Sequence, residues 1–423
     1  MNQPARQPAA FATANPHALA TILEASQTKS IIASRDIFDL SGTKLWARDQ
    51  PVSATLQRKL LDRQLRNPLE SCLLAEDGVT TQTLVQGLRR LVEGTTPLAA
   101  LLRPHAARLE REVPQLPLHS VVQLLLTAGQ ASRPESFEHA LQGMALAGAL
   151  MAAQGGSTAE LRLAMLCGLL HDLGEMYIAP HHGEADADRV LDVQSYQHLV
   201  VHPHVGQLLL TQLTNYPAAM ARAIGEHHER LDGSGYPHGL QRDAVSPLGR
   251  LLAVTEAALA VLRGERPYLA RISVALRVVP GEFDLGWVGR IAEAARCEPE
   301  LHPALKTADV RMRLARLDAA LEAAQDGVAA AKGEAKAPAL ADALGLAQHL
   351  LGRLRTGWYA SGLWSADALG NAHDTAEVEA VEDELFFRLQ AIERAARLRA
   401  GTLPEADAQV LERLCEDLRA YSG

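Results

Sequence analysis

Histidines and carboxylates recur in this chain at intervals of one helix plus a connection. His171, followed at once by Asp172, comes 32 residues after His139, His202 follows Asp172 after 30, His227 follows His202 after 25, and Glu256 follows His228 after 28. Such spacing predicts that successive helices each deliver a ligand to one central point, since imidazoles and carboxylates gathered together are the side chains that bind metal ions. Ten of the 16 histidines lie between His139 and His238, and scattered surface histidines would not bunch this way. Glu135 and His139 are four apart and share a helix face. Helix-start signals stand just upstream at Ser132 and Pro134. Neighbouring side chains on a helix diverge by about 100°, so His227 and His228 are expected to serve two ions, or one ion and a substrate, rather than one ion together. Five histidines and three carboxylates exceed the needs of one metal. They suit two divalent cations, or three, with iron or manganese favoured.

Each candidate also has a plainer reading. Asp172 follows ten mostly apolar residues, Leu161 to Leu170, and a lone buried carboxylate costs several kcal/mol unless paired or metal-bound. A ligand role is therefore favoured there over a core salt bridge. Glu256 could instead be the wet side of its helix, and Glu135 could merely complement a helix dipole. His181, His182, His198, His204 and His238 read as loop or supporting residues.

Composition narrows the class. The chain has 423 residues, 48% hydrophobic and 22% charged, which is globular and long enough for two or three domains. Lys plus Arg is 41 against 50 Asp plus Glu, a net charge of −9, so the basic footprint for binding a nucleic-acid polymer is missing. No apolar stretch approaches a membrane span, and the amino-terminal text lacks the apolar run of a signal peptide. The four cysteines, Cys72, Cys167, Cys297 and Cys415, form no CxxC pair, which fits reduced thiols in a cytoplasm.

The predicted fold is mainly α. Residues 1–28 are Ala-, Pro- and Gln-rich and read as a flexible tail. Residues 30–110 read as a small α+β module of unknown role, with a hairpin in which Ile31–Phe38 and Lys44–Ala47 flank a glycine turn at Gly42. Residues 118–297 read as helices joined by Gly/Pro/His-rich loops. Gly148 sits on an apolar helix face where a neighbouring helix can approach closely. Residues 300–423 read as a helical region, with apolar steps of 3 and 4 over Val310–Leu321 and Val378–Ile392 and a linker at Lys332–Pro338. A bundle packed on the rest is the plain reading, and a dimerising coiled coil the sharper one.

The most specific local text is EHHERLDGSGYPHGL over 226–240, where Gly233, Gly235 and Pro237 force a tight loop directly after two histidines. Together with HDLG at 171–174, HPHVG at 202–206, RLLAV at 250–254 and RPY at 266–268, this string closely resembles the HD-GYP family. These are bacterial signalling phosphohydrolases of HD type that hydrolyse cyclic di-GMP, and the resemblance covers 118–297. It implies an HD-type helical core and places family metal ligands on Glu135, His139, His171, Asp172, His202, His227 and His228, with Asp172 as bridge. Glu256 would add a carboxylate. A hydroxide held by two metals would attack phosphorus while the metals hold the phosphate oxygens. Gly235, Tyr236 and Pro237 match the loop near substrate and partners. Arg250 and Arg266 match positions near its guanine or phosphate end, although structural salt bridges are an equally ordinary use for arginine.

Three positions depart from the family pattern. Glu175 stands where HDxGK has lysine, so a positive charge is replaced by a negative one. It is either a loss to phosphate binding or an extra ligand beside the catalytic His171 and Asp172. Glu256 replaces an aspartate and lengthens its reach by about 1.5 Å. Leu259 replaces a further aspartate.

The leading expectation is a metal-dependent phosphodiesterase acting on cyclic di-GMP in the cytoplasm. Its other expected partners are diguanylate cyclase-type signalling proteins and a second copy of the chain in a homodimer. A catalytically impaired sensor or scaffold is the alternative that Glu175, Glu256 and Leu259 favour. An HD phosphohydrolase for another nucleotide is the third.

Overall fold

The computed structural model describes residues 10–179, 193–264, 267–296, 305–335, 337–362 and 372–422. Arg266, His181 and His182 lie outside the described residues. The chain divides into two compact units. The first takes Met1–Ala187, His198–His228 and Ser246–Thr255, and the second takes Asp188–Gln197, Glu229–Val245 and Glu256–Gly423.

The first unit opens on α1 (Pro16–Ala25), capped by the Asn15 side chain, which accepts from the His17 and Ala18 amides. Pro16 stands at the first helical position, where its missing N–H costs nothing. This helix corrects the expectation of a loose tail over its own span, Pro16–Ala25, while residues 1–9 lie outside the described residues. Ala18, Leu19, Ile22 and Ala25 are buried, a short apolar stripe that the flanking Ala/Pro-rich text obscures.

Strands β1 (Ile31–Ala33), β2 (Ile37–Phe38) and β3 (Lys44–Trp46) and helix α2 (Ala54–Leu60) follow, then β4 (Leu73–Ala75). β2 and β3 form the expected hairpin, with Gly42 at φ +90° in the turn. The text before it does not continue as one strand. β1 pairs antiparallel with β4, Ile31 opposite Ala75. Asp36 turns the chain between β1 and β2, taking the Arg48 amide at 2.8 Å and the Lys44 ammonium at 2.7 Å.

Next come α3 (Thr81–Glu93), α4 (Pro97–Leu102), α5 (Ala106–Glu112), α6 (Ser120–Ser132), α7 (Pro134–Ala153) and α8 (Thr158–Leu170). α7 begins at the expected proline. α8 begins with a capping box in which the Ser157 side chain and Glu160 satisfy each other's amides. α3, α4 and α5 pack on α7, and α1 packs on α6.

α7 and α8 pack along each other. A Cβ on Gly143 of α7 would collide with the Gly168 carbonyl of α8, and a Cβ on Gly168 with the Gly143 carbonyl. Backbone therefore meets backbone at this crossing. Gly148, the glycine singled out by sequence, faces the movable side chains of Met165 and Leu109 instead.

The chain continues through α9 (Val193–Leu199), α10 (His202–Leu213), α11 (Ala218–Gly225) and α12 (Pro247–Arg263). A 3₁₀ turn, Leu173–Tyr177, packs on α10 with Gly174 against the His202 carbonyl.

The second unit holds α13 (Leu269–Ala275), α14 (Leu285–Ala295), α15 (Thr307–Glu334), α16 (Pro338–Ala360), α17 (Ala372–Ala400) and α18 (Glu405–Ser422). α15 to α18 pack on one another, and their apolar stripes, including Leu314, Leu321, Leu344, Leu385 and Leu411, close one core. The stripes that suggested a coiled coil are thus covered within one chain. Among the described residues no helix is long and apolar enough to cross a membrane.

The glycine contact yields a test. Gly→Ala gains up to about 1 kcal/mol of helix propensity, while overpacking a backbone contact costs about 1–3 kcal/mol. Gly143→Ala should therefore lower unfolding free energy in a denaturant titration, and Gly148→Ala should lower it less, because only side chains must give way there. Equal effects at the two positions would contradict the backbone contact.

Candidate metal centre

Four stretches of the first unit converge on Asp172, whose side chain is 9% exposed. His139 lies in the second turn of α7, His171 caps the end of α8, His202 opens α10, and His227 follows the end of α11. The carboxylate is divided between two imidazole pairs. Its Oδ2 lies 3.2 Å from Nε2 of His139 and 3.2 Å from Nε2 of His171. Its Oδ1 lies 3.4 Å from Nε2 of His202 and 3.3 Å from Nε2 of His227. Within each pair the Nε2 atoms are 3.1 Å apart.

Helix ends set these rings. The last carbonyls of a helix have no partner within it. Nδ1 of His171 lies 2.8 Å from the Gly168 carbonyl, that of His202 2.7 Å from Leu199, and that of His227 2.6 Å from Ile224. Each carbonyl belongs to the last turn of the preceding helix and lies three residues before its histidine. The contact assigns the proton to Nδ1 and turns the Nε2 lone pair inward.

Two consequences follow. The Nε2 atoms of His202 and His227 then face each other as acceptors, beside an Oδ1 that is buried and accepts no hydrogen bond. A centre so rich in lone pairs and poor in donors fits a cation. Burial alone would raise the Asp172 carboxyl, and protons on the surrounding imidazoles, His171 first, hold it well below the usual carboxylate range; with the Nε2 lone pairs turned inward, a cation takes over that role. Burial, then the neighbouring His228, pushes His227 well below the ordinary imidazole value. Both groups are thus in their ligating forms at neutral pH.

His228 joins Asp172, His202 and His227, with one donor atom from each inside a 4.8 Å group. This corrects the expected divergence of the two adjacent histidines. α11 ends at Gly225, so the pair sits in a turn where the 100° step of a helix no longer applies. Glu226, just before them, anchors this turn by accepting from Arg222 Nε at 2.6 Å and the Ser246 amide at 2.8 Å.

Residues 123–280 match the family model described as HD domain. A 3'3'-cGAMP-specific phosphodiesterase 1 from Vibrio cholerae is 29% identical over 157 residues, 37% of this chain and 35% of that protein. A cyclic di-GMP phosphodiesterase of Pseudomonas aeruginosa is 34% identical over 108 residues, 26% of this chain and 25% of its own length. The cyclic di-GMP phosphodiesterase response regulator RpfG of Xanthomonas campestris is 33% identical over 134 residues, 30% of this chain and 34% of its own. This chain carries an HD domain. It spans about a third or less of the length of the curated relatives it matches.

The remaining expected residues of the HD domain lie as follows. Glu135 is exposed in the first turn of α7, and His204 is exposed on α10. Arg250 is half-buried near the start of α12. Glu175 is buried in the 3₁₀ turn, where Arg133 donates to its backbone carbonyl at 2.9 Å. Arg133 was not legible in the sequence as a functional residue. It also donates to Thr21 Oγ1 of α1 at 3.0 Å, and Asn15 donates to the Tyr177 carbonyl at 3.2 Å.

In the second unit, Glu256 is buried on α12 and bound by Arg263 at 2.9 Å, and Leu259 is fully buried. Gly235, Tyr236 and Pro237 lie in a loop held on both sides. The Glu229 carboxylate accepts from the amides of His238 and Leu240, each at 2.7 Å. Asp232 Oδ1 accepts from the Ser234 amide and hydroxyl, and the Asp232 carbonyl lies 3.2 Å from His349 Nε2. Gly233 takes φ +86°, which a side chain would resist.

Asp172→Asn keeps the volume and removes the charge, so metal retained after gel filtration, read by elemental analysis, should fall to background. The low His227 position predicts that this ring stays unprotonated at pH 6.0 in the metal-free chain, read from its imidazole carbon shifts by NMR; protonation of His227 centred near pH 6.5, the ordinary imidazole value, would contradict the assignment.

Proposed function

We propose that the protein is a metal-dependent phosphodiesterase that hydrolyses cyclic di-GMP, with Asp172 bridging two divalent cations. His139 and His171 would hold one, and His202, His227 and His228 the other. The family pattern adds Glu135 and Glu256 to the ligand set, and both belong to the proposal. The observation that carries this reading is the division of the Asp172 carboxylate, one oxygen facing each imidazole pair at 3.2–3.4 Å.

Bound there, iron or manganese would supply positive charge to phosphate oxygens and acidify a water. The chain's own contribution is orientation and charge. Asp172 stays ionised among the imidazoles, and the helix-end carbonyls hold His171, His202 and His227 with Nε2 inward. The residues of α8 that run into the centre, Ala164 to Leu170, are buried, and an apolar surrounding strengthens every charge interaction in it. Tyr236, flanked by Gly235 and Pro237, is assigned to substrate, as are Arg250 and Arg266. The names of the Pseudomonas and Xanthomonas relatives favour cyclic di-GMP, and that of the Vibrio relative makes 3'3'-cGAMP the natural competitor.

One observation favours a regulated or non-catalytic signalling role. The turn that follows Asp172 carries Glu175 in place of a lysine and is tied to α1 through Arg133 and Asn15. A segment outside the HD domain thereby holds the turn next to the bridging carboxylate. Turnover separates the readings. Protein purified without oxygen and reconstituted with iron or manganese should cleave cyclic di-GMP faster than 3'3'-cGAMP, and His227→Ala should reduce the rate at least about 100-fold. No cleavage with two metals bound would favour the signalling role, and a large gain in Glu175→Lys would mark Glu175 as the cause.

A further inference from the structure

Arginines of the second unit are paired with carboxylates almost wherever they are buried. Arg388 of α17 binds Glu282 and Glu384, Arg397 binds Glu393, and Arg271 and Arg313 share Asp383. Arg394, between the first two on the same helix, differs. Among the described residues no carboxylate forms an ion pair with it, and its Nε is buried without a hydrogen-bond partner. Its guanidinium lies instead 5.8 Å from the ring centroid of Tyr196 in α9 and 5.8 Å from that of Phe387. Phe387 is 55% exposed, so the cluster reaches the surface. Tyr236 meets Tyr196 edge-on, with centroids 6.1 Å apart and planes at 80°.

Glu393 acts on this guanidinium only through space and is itself paired with Arg397, so a half-buried guanidinium without an ion pair of its own retains its demand for an anion. Its planar donors match phosphate oxygens. Tyrosine and phenylalanine rings beside it offer faces on which a base can stack, an interaction indifferent to base identity. The loop that carries Tyr236 is held by Glu229 and Asp232, so this ring is presented without a large ordering cost.

We propose that Arg394, Tyr196 and Tyr236, with Phe387 at the rim, form a nucleotide subsite of the second unit that takes one purine base and its adjoining phosphate. The proposal rests on the reading of a cyclic dinucleotide as substrate. It extends recognition to α17, outside the 123–280 match. Arg394 is a binding residue in this account, with no part in metal binding.

The test uses the full chain loaded with manganese. Affinity for a slowly hydrolysed phosphorothioate analogue of cyclic di-GMP is measured by titration calorimetry. Hydrolysis of bis(p-nitrophenyl) phosphate, which has no base, and metal content report separately on the metal centre. Arg394→Ala should weaken binding about tenfold to a hundredfold, the usual range for one charge-assisted contact. Tyr196→Leu should weaken it less and Tyr196→Phe hardly at all, while metal content and melting temperature hold.

Unchanged affinity in Arg394→Ala would overturn the subsite. So would a parallel fall in bis(p-nitrophenyl) phosphate turnover or in metal content, which would make Arg394 a structural support. An Arg394-dependent complex in a protein that cleaves no phosphodiester would sink the enzyme reading and leave the subsite standing. Absence of any complex in the unaltered protein would sink the subsite together with the choice of substrate.

Discussion

A carboxylate at the end of an apolar helix is the constraint around which the first unit is organised. Asp172 follows Leu169, Leu170 and His171, all buried, and its own side chain is nearly so. An isolated charge in that position is costly. Compensation requires positive charge among the four imidazoles carried by α7, the end of α8, the start of α10 and the end of α11, as ring protons or as a cation they hold, so the arrangement of these elements and the ionisation of Asp172 are one problem. Removing either the charge or the imidazoles leaves buried polar groups with nothing to face.

The positions of the imidazoles follow from two simple devices. At the α7–α8 crossing, Gly143 and Gly168 allow backbone contact, and the His171 ring sits so close to Gly143 that a Cβ there would come within 2.9 Å of it. At three helix ends, a carbonyl left over from the helix meets the Nδ1 of a histidine three residues on. The same local solution used three times explains why ligands recur at one helix plus a connection. It also explains why the lone pairs agree in direction, which a metal requires and a proton-sharing network would not.

Much of this was legible in the chain. The spacing of His139, His171, Asp172, His202 and His227 pointed to one centre because helix length sets the interval. The helical class of 118–297 and the proline start of α7 were equally open to pattern reading. α1 was missed because four buried apolar residues within an Ala/Pro-rich stretch give a faint stripe. β1 was misjoined to its neighbour because its partner β4 lies some 40 residues away. The divergence assigned to His227 and His228 assumed a helix that ends at Gly225. Arg133 and Arg394 had no local signature, since what marks them is their company: Thr21 and the Glu175 carbonyl for one, Tyr196 and Phe387 for the other.

The central claim is that Asp172 joins two cations, and electron paramagnetic resonance of the manganese-loaded chain addresses it directly. A carboxylate shared between two Mn(II) ions couples their spins. The account predicts two ions per chain and a broad, temperature-dependent spectrum, with uncoupled manganese features appearing only as occupancy falls toward one. A six-line spectrum of isolated Mn(II) at full loading, or saturation at one ion per chain, would contradict it.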